Sequence, residues 1–149
     1  MPYRNIVVAI DLNEECSQIL ARARDLAIAN GAKIVPIHVV ELIEMAFGGE
    51  AALDLPKFKL ELFEQAQQYL ESFAAECPGL PTEPPRLAYG DARDEIHRAA
   101  RELHADLIMV GSHGRHGMAL LFGSTANGML HSAPCDVLAV RLGKRATKD

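Results

Sequence analysis

Three unbroken apolar runs constrain the fold of this chain more than any other feature of its sequence. They are IVVAI at 6–10, LIMV at 107–110 and VLAV at 137–140, each bounded by polar or glycine residues. A strand with one face in water alternates apolar and polar residues, whereas an unbroken apolar run requires cover on both faces. We therefore expect three buried strands of a parallel sheet that lies between layers of helices.

Two further segments are strand-like but carry features that weaken pairing. The segment KIVPIHVV at 33–40 contains Pro36, which has no N–H to donate and so predicts a bulge or a partly unpaired position. The segment RLAY at 86–89 is short and follows Pro84 and Pro85, which favours an edge position. The sheet is therefore expected to have five strands.

Helical periodicity fills the intervals between the strands. Apolar residues recur at spacings of three and four in four intervals: 14–30, 57–76, 92–104 and, for a shorter helix, about 124–133. Asn13 and Asp91 are suitable N-cap residues, and Gly31 is suited to end the first helix. The order β-α-β-α-β-α-β-α-β predicts an α/β fold with a doubly wound parallel sheet and helices on both faces, formed by one domain over 1–149.

Composition and charge exclude several classes of function. The chain has a net charge of −5 and no basic run, which argues against binding nucleic acid by phosphate neutralisation. No segment has the length needed to span a bilayer, so no membrane partner is expected. The three cysteines form no CxxC pair and are odd in number, which is typical of reduced thiols in the cytoplasm.

A glycine-rich segment, GSHGRHGMALLFGSTAN at 111–127, follows the fourth predicted strand. If the first and fourth strands are neighbours at the centre of the sheet, Asp11 and Gly111 leave them at one crevice, where doubly wound sheets bind ligands. The turn from Gly111 to Gly114 can present successive N–H groups to an anion.

A second anion site is predicted further along the same segment. Gly123, Ser124 and Thr125 stand at the expected start of a helix, where unpaired N–H groups and the positive dipole end favour phosphate. Ser124 would serve equally well as an N-cap without any ligand. No Lys precedes Ser124 and there is no GxGxxG pattern, so neither a Walker loop nor a dinucleotide fingerprint is present.

The histidines and serines are candidates for other chemistry. His113 and His116 have a metal-like spacing, but no cysteine pair or nearby carboxylate completes a zinc site. Positive charge near phosphates and a solvated loop are equally good interpretations of Arg115 and His116. His38, within an apolar run, is interpreted as a hydrogen-bonded core histidine. No G-x-S-x-G elbow is present to indicate nucleophilic catalysis.

The last strand suggests an interface. CDVLAVRL at 135–142 is a long apolar strand with little edge protection before Arg141. A bare edge of this kind is a template for aggregation, and pairing of the Asp136 to Leu142 region with a second copy removes it. Cover by the C-terminal tail is the alternative.

Four segments together resemble the universal stress protein family in order, spacing and length: NIVVAIDLNEECSQIL, AKIVPIHVV, YGDARDEIHRAARELHADLIMVGSHG and GSTANGMLHSAPCDVLAVR. The resemblance implies strand order 3-2-1-4-5 and a homodimer in which the last strands pair antiparallel. It also implies ATP binding in members that carry G-x2-G-x9-G-[ST].

Carried over residue by residue, the resemblance implies a site for ATP and Mg²⁺ or Mn²⁺. In that site Asp11 lies near the ribose and the metal. The other implied contacts are Ala9 and Val39 beside adenine, Val110 and Gly111 along the nucleotide, and Gly114, Gly123, Ser124 and Thr125 at the phosphates. Two departures stand against the family pattern. Eight residues separate Gly114 from Gly123 where the pattern has nine, and Leu12-Asn13 follows Asp11 where nucleotide-binding members often have Gly-Ser.

The sequence therefore predicts a cytoplasmic homodimer that binds ATP with a divalent ion as a regulatory stress-response module. Its output would be a conformational change or a signal to protein partners. A dimer that holds no nucleotide and acts through protein partners is the first alternative. A slow ATPase or an autokinase that modifies Ser124 or Thr125 is the second.

Overall fold

The computed structural model describes residues 2–12, 16–40, 55–76, 82–112 and 129–142. The elements, in chain order, are β1 (Asn5–Ala9), α1 (Cys16–Asn30), β2 (Lys33–Val40), α2 (Leu55–Glu76), β3 (Arg86–Tyr89), α3 (Ala92–Glu102), β4 (Leu107–Ser112) and β5 (Asp136–Arg141). All five expected strands are present, and their ends lie within two residues of those expected. Met129 and Leu130 are also helical.

The five strands form one parallel sheet in the order β3-β2-β1-β4-β5. The chain moves outward from β1 through β2 to β3, then crosses to β4 on the other side of β1 and continues outward to β5. The direction of winding therefore reverses between β1 and β4. The strand order and the edge position of β3 are both as predicted.

Pro36 does not produce a bulge, although it stands inside β2. The register with β1 runs without interruption from Asn5↔Lys33 to Ala9↔Ile37. The Ile10 N–H donates to the Ile37 carbonyl at 2.8 Å, so the backbone groups of Ile37 face β1 and those of Pro36 face β3. Regular pairing of β2 with β3 begins at Ile37, one residue later. The N–H that Pro36 lacks would therefore have no partner on β3. The expectation of a partly unpaired position is correct, and the expectation of a bulge is wrong.

The helix ends follow local rules where the structure describes them. The Asp91 carboxylate accepts a hydrogen bond from the Asp94 N–H at 3.0 Å, which confirms the predicted N-cap of α3. Gly31, at a φ of +66°, ends α1 as predicted. The last helix ends at Leu130 rather than 133, because Ser132 adopts a left-handed φ of 65° ahead of Pro134. Asn13 and the expected start of that helix lie outside the described residues.

The side chains of each strand alternate between two cores, one on each side of the sheet. We call them the α1 face, covered by α1 and α2, and the α3 face, covered by α3 and Met129. Buried residues of the α1 face include Ile6, Val8, Ile10, Ile19, Leu20, Leu70, Leu107, Met109 and Val140. Those of the α3 face are Val7, Ala9, Ile37, Ile96, Ala99, Ala100, Ile108, Val110 and Met129. Helices therefore cover both faces, as the unbroken apolar runs require.

Candidate functional site

The crevice predicted from the sequence lies where the winding reverses. β1 and β4 are paired neighbours, with Val8 opposite Met109, so the segments that follow them meet at the carboxyl edge of the sheet. Asp11 is half-buried two residues beyond the end of β1. Gly111 is buried and still within β4, because β5 pairs with β4 as far as Ser112↔Arg141. The sequence therefore placed the end of β4 two residues too early, but it identified the correct pair of strands.

Ala9, Val39 and Val110, which the resemblance places along the nucleotide, belong to one hydrophobic cluster on the α3 face. Ala9 and Val110 are 3% and 6% exposed, and Val39 is half-buried at its edge. Their side chains therefore pack in the core, as expected of them with or without a ligand. All three stand near the carboxyl ends of their strands, so the cluster extends to the crevice.

Asp11 lies close enough to the first turn of α1 to act on Cys16. Burial and, to a smaller extent, the negative charge of Asp11 together raise the pKa of the Cys16 thiol to about 12. A thiol of this kind stays protonated near neutral pH and is not a nucleophile. Cys135 is half-buried, and its pKa is raised to about 11 by burial and then by Asp136. Both thiols are free, as predicted; Cys77 lies outside the described residues.

His38 connects β2 to the main chain just before Asp11. Its Nδ1 lies 2.9 Å from the Ile10 carbonyl oxygen. Because a carbonyl can only accept a hydrogen bond, Nδ1 carries the proton and donates. The ring is half-buried rather than part of the core, since it stands near the carboxyl end of its strand. The expectation of a hydrogen-bonded histidine is therefore correct, and the expectation of a core position is wrong.

The remaining predicted contacts are Gly114, Gly123, Ser124 and Thr125, and all four lie outside the described residues. So do His113 and His116. Across the described ranges, no group of three or more His, Cys, Asp or Glu side chains could hold a metal ion. A nucleotide-bound Mg²⁺ takes most of its ligands from phosphates and water and needs one or two carboxylates. Asp11 fits that requirement. The described residues do not supply a complete set of protein ligands for a metal ion without a nucleotide.

One polar residue of the α3 face was not found from the sequence. His97 is 5% exposed, and its Nε2 lies 3.0 Å from the Met129 carbonyl oxygen. It stands next to Ile96 and three residues before Ala100, both of which belong to the predicted apolar stripe of this helix. That spacing was the available signal for a buried histidine. Its partner could not be predicted, because it lies 32 residues away in sequence.

Comparison with known proteins adds a family to this geometry. A sequence model of the universal stress protein family matches residues 2–141. Two curated relatives are the universal stress protein A homologs 1 and 2 of Coxiella burnetii, which are 34% and 35% identical to this chain. The alignments cover 94% of this chain in both cases, and 97% and 96% of the relatives.

Solved structures show the same fold. A universal stress protein in complex with cAMP has a TM-score of 0.67 at 21% identity, with 95% of this chain and 98% of that chain covered. The universal stress protein of Archaeoglobus fulgidus in complex with dAMP has a TM-score of 0.65 at 22% identity, with 96% and 100% covered. None of the helices in the described ranges combines the length and apolarity of a membrane span.

Proposed function

Because this chain belongs to the universal stress protein family, we propose that its crevice between β1 and β4 binds ATP together with Mg²⁺ or Mn²⁺. In this proposal the nucleotide regulates a cytoplasmic homodimer that signals to protein partners. The observation that carries the proposal is that Asp11, just beyond β1, and Gly111, within the neighbouring strand β4, lie where the winding reverses.

The walls of the crevice suit an adenine ring. Ala9 and Gly111 are the two smallest residue types, so no large side chain at these positions would keep a flat ligand away from the main chain. Val39 and Val110 supply apolar surface next to them. Adenine would contact the backbone here, while the valine side chains stay in the core. Asp11, half-buried beyond β1, is left to contact the ribose hydroxyls and the divalent ion.

The phosphates are assigned to the glycine-rich segment. Gly114, Gly123, Ser124 and Thr125 would offer main-chain N–H groups to the polyphosphate, and the charge of the nucleotide would be shared with the divalent ion bound at Asp11. The complexes of related folds with cAMP and dAMP support an adenine nucleotide as the class of ligand. The presence of the three glycines of the ATP-binding family pattern, Gly111, Gly114 and Gly123, favours ATP within that class.

The outer edge of β5, which pairs with no other strand of the described residues, supports the homodimer. β5 uses one edge to pair with β4, and its six residues, Asp136 to Arg141, are exposed or half-buried except for the buried Val140. Antiparallel pairing with a second copy would satisfy the outer N–H and C=O groups of the strand. A two-fold axis through this edge would extend the sheet across both protomers.

The nucleotide proposal is tested first on the purified protein. Acid denaturation followed by chromatography should release adenine nucleotide, and saturating Mg-ATP should raise the melting temperature. A ligand at 100 times its Kd contributes about 2.7 kcal/mol to the free energy of unfolding. If no nucleotide is released and millimolar Mg-ATP leaves the melting temperature unchanged, the nucleotide proposal fails. The alternative, a dimer that holds no nucleotide and acts through protein partners, is then favoured.

Two substitutions test the assigned contacts. Gly123→Val should weaken ATP binding at least tenfold, since a β-branched side chain blocks the approach of phosphate. Asp11→Asn should weaken the dependence of binding on the divalent ion, while Asp25→Asn, an exposed change on α1, serves as the charge-matched control. Transfer of labelled γ-phosphate to the wild-type protein, lost on replacement of Ser124 or Thr125, would favour the autokinase instead.

The interface has its own test. Ala139 is exposed on β5, so Ala139→Lys leaves the core of the protomer intact but places like charges across the proposed two-fold axis. Sedimentation should show a dimer for the wild type and a monomer for this variant. Ile28→Lys, at a position 62% exposed on α1, is the matched control and should remain dimeric. An Ala139→Lys dimer of unchanged affinity would overturn the proposed interface.

A further inference from the structure

A groove of about 360 Å³ lies between α3 and the turn that precedes β5, and none of the proposed nucleotide contacts line it. Its walls are one stripe of α3 and the turn that precedes β5. The lining residues are Arg93, Asp94, His97, Arg101, His131 and Ser132. Two arginines and two histidines thus meet one carboxylate, in a chain whose net charge is −5. The guanidinium groups and imidazole rings that gather here, in an acidic chain, are hydrogen-bond donors suited to an anion.

The groove is elongated along the helix. Arg93, His97 and Arg101 recur every fourth residue, which places them in one row on the same side of α3. At a rise of 1.5 Å per residue, the first and last members of the row are about 12 Å apart along the axis. The groove is therefore long enough for a ligand with chemically different ends.

His97 gives the groove a fixed, buried floor. Its ring is 5% exposed, and Nε2 donates to the Met129 carbonyl at 3.0 Å. This hydrogen bond joins α3 to the segment that carries the opposite wall. That wall continues into Ser132, which holds a left-handed φ of 65°. Since both walls are held before any ligand arrives, little ordering is needed on binding.

The two ends of the groove differ in charge. Arg93 lies 3.2 Å from the Asp94 carboxylate and 4.0 Å from Asp91, so the N-terminal end is a mixed, nearly neutral group of donors and acceptors. Arg101 stands in the last turn of α3 and makes no ion pair within the described part of the chain. His131 and Ser132 come from the turn before β5, which starts at the same edge of the sheet as β4. The C-terminal end is therefore the cationic one.

We propose that this groove binds a small polyhydroxylated phosphate monoester, such as a sugar phosphate. The phosphate lies against Arg101, His131 and Ser132, because its three terminal oxygens match the guanidinium fork, a ring N–H and a hydroxyl. The hydroxyl groups of the ligand face the Arg93–Asp94 pair, which offers both donors and an acceptor. The volume of the groove is at the small end of the range for small-molecule sites.

The test is a titration followed by ¹H–¹⁵N NMR, with ribose 5-phosphate and inorganic phosphate as probes and saturating Mg-ATP present. Ribose 5-phosphate should shift the amide signals of 93–101 and 131–132, and it should bind at least tenfold more tightly than inorganic phosphate. Arg101→Gln should raise its Kd at least tenfold. Arg22→Gln, an exposed change of the same charge on α1, should leave the Kd unchanged.

Three results would overturn the proposal. One is an unchanged affinity in Arg101→Gln while circular dichroism shows the variant folded. Another is displacement of ribose 5-phosphate by Mg-ATP, which would place the probe in the crevice between β1 and β4. The third is equal affinity for inorganic phosphate, which would remove the assigned hydroxyl contacts. The first and third of these results do not depend on whether ATP binding itself is found.

Discussion

The two faces of the sheet are built from the same strands but bury different side chains. On β1, the α1 face receives Ile6, Val8 and Ile10, whereas the α3 face receives Val7 and Ala9. From its helices the α1 face receives Ile19, Leu20 and Leu70 together with the small residues Cys16, Ala23 and Ala27. The helix α3 contributes Ile96, Ala99 and Ala100 to the other face, which also includes the buried His97.

This difference indicates a division of roles between the faces. The proposed adenine contacts Ala9, Val39 and Val110 all belong to the α3 face, and the groove next to α3 has the buried His97 of this face as its floor. On the α3 face, the small Ala9 leaves space at the end of β1 and the fixed His97 offers a hydrogen-bonding group. Among the described residues, the α1 face buries no polar side chain. We therefore expect substitutions on the α1 face to change stability alone, and those on the α3 face to change stability and binding together.

The largest effect on stability is expected on the α1 face. Leu20 is 1% exposed, and Leu20→Ala should lower the free energy of unfolding by about 2–5 kcal/mol through lost transfer energy and the cavity left behind. Denaturation in urea measures this loss. Ile28→Ala, at an exposed position of the same helix, should change stability by less than about 0.5 kcal/mol. A lower affinity for Mg-ATP in folded Leu20→Ala would contradict the division of roles.

A pair of neighbouring residues on β1 tests the division most directly. Ala9→Val and Val8→Ile each add volume to a core on opposite sides of one strand, and each should cost about 1–3 kcal/mol. Ala9→Val should also weaken Mg-ATP binding at least tenfold, because it narrows the crevice. Val8→Ile should leave the affinity unchanged in calorimetric titration. Equal affinities of the two variants for Mg-ATP would contradict the division of roles between the α1 face and the α3 face.

The two histidines give a smaller contrast. His97→Leu removes the donor to the Met129 carbonyl inside the α3 face and should cost about 1–3 kcal/mol, since the acceptor is left buried. His38→Leu removes the donor to the Ile10 carbonyl at a half-buried position, where water can replace it, and should cost less. Urea denaturation of both variants measures the difference. A larger loss for His38→Leu would show that the edge of β2, rather than the floor of the groove, needs the hydrogen bond.

The parts of the fold that follow from local rules were predictable. The buried strands were visible as unbroken runs, and Asp91 and Gly31 marked helix ends because their roles depend on their own backbone and their neighbours. Pro36 shows the limit of local rules. The missing N–H of Pro36 was evident from the sequence. Whether a bulge results, however, depends on where β3 begins, because β3 pairs with β2 only from Ile37 onward.

Contacts between distant residues were not predictable from one sequence. Asp106 accepts a hydrogen bond from the Asn5 N–H at 2.9 Å across 101 positions, and no pattern near either residue announces it. The groove could not be predicted either, because its walls come from α3 and from a turn about 30 residues later. By contrast, Asp11 and Gly111 could be paired in advance, since parallel strands bring their carboxyl ends to one edge.

The smallest predicted effect concerns the start of α3 and separates two contributions of one side chain. Asp91 caps the helix through the Asp94 N–H and lies 4.0 Å from Arg93 in an exposed position. Asp91→Ala should cost about 1 kcal/mol, the usual value of a lost N-cap. Asp91→Asn keeps a capping oxygen without the charge, so it should cost only a few tenths of that if capping dominates. Surface ion pairs contribute little to stability. If Asp91→Asn nevertheless lost as much free energy of unfolding as Asp91→Ala, the contribution of Asp91 would come from its charge, through the helix dipole and Arg93. The affinity of Asp91→Asn for ribose 5-phosphate then shows whether the ligand needs the Asp91 carboxylate beside Arg93 in addition to that of Asp94.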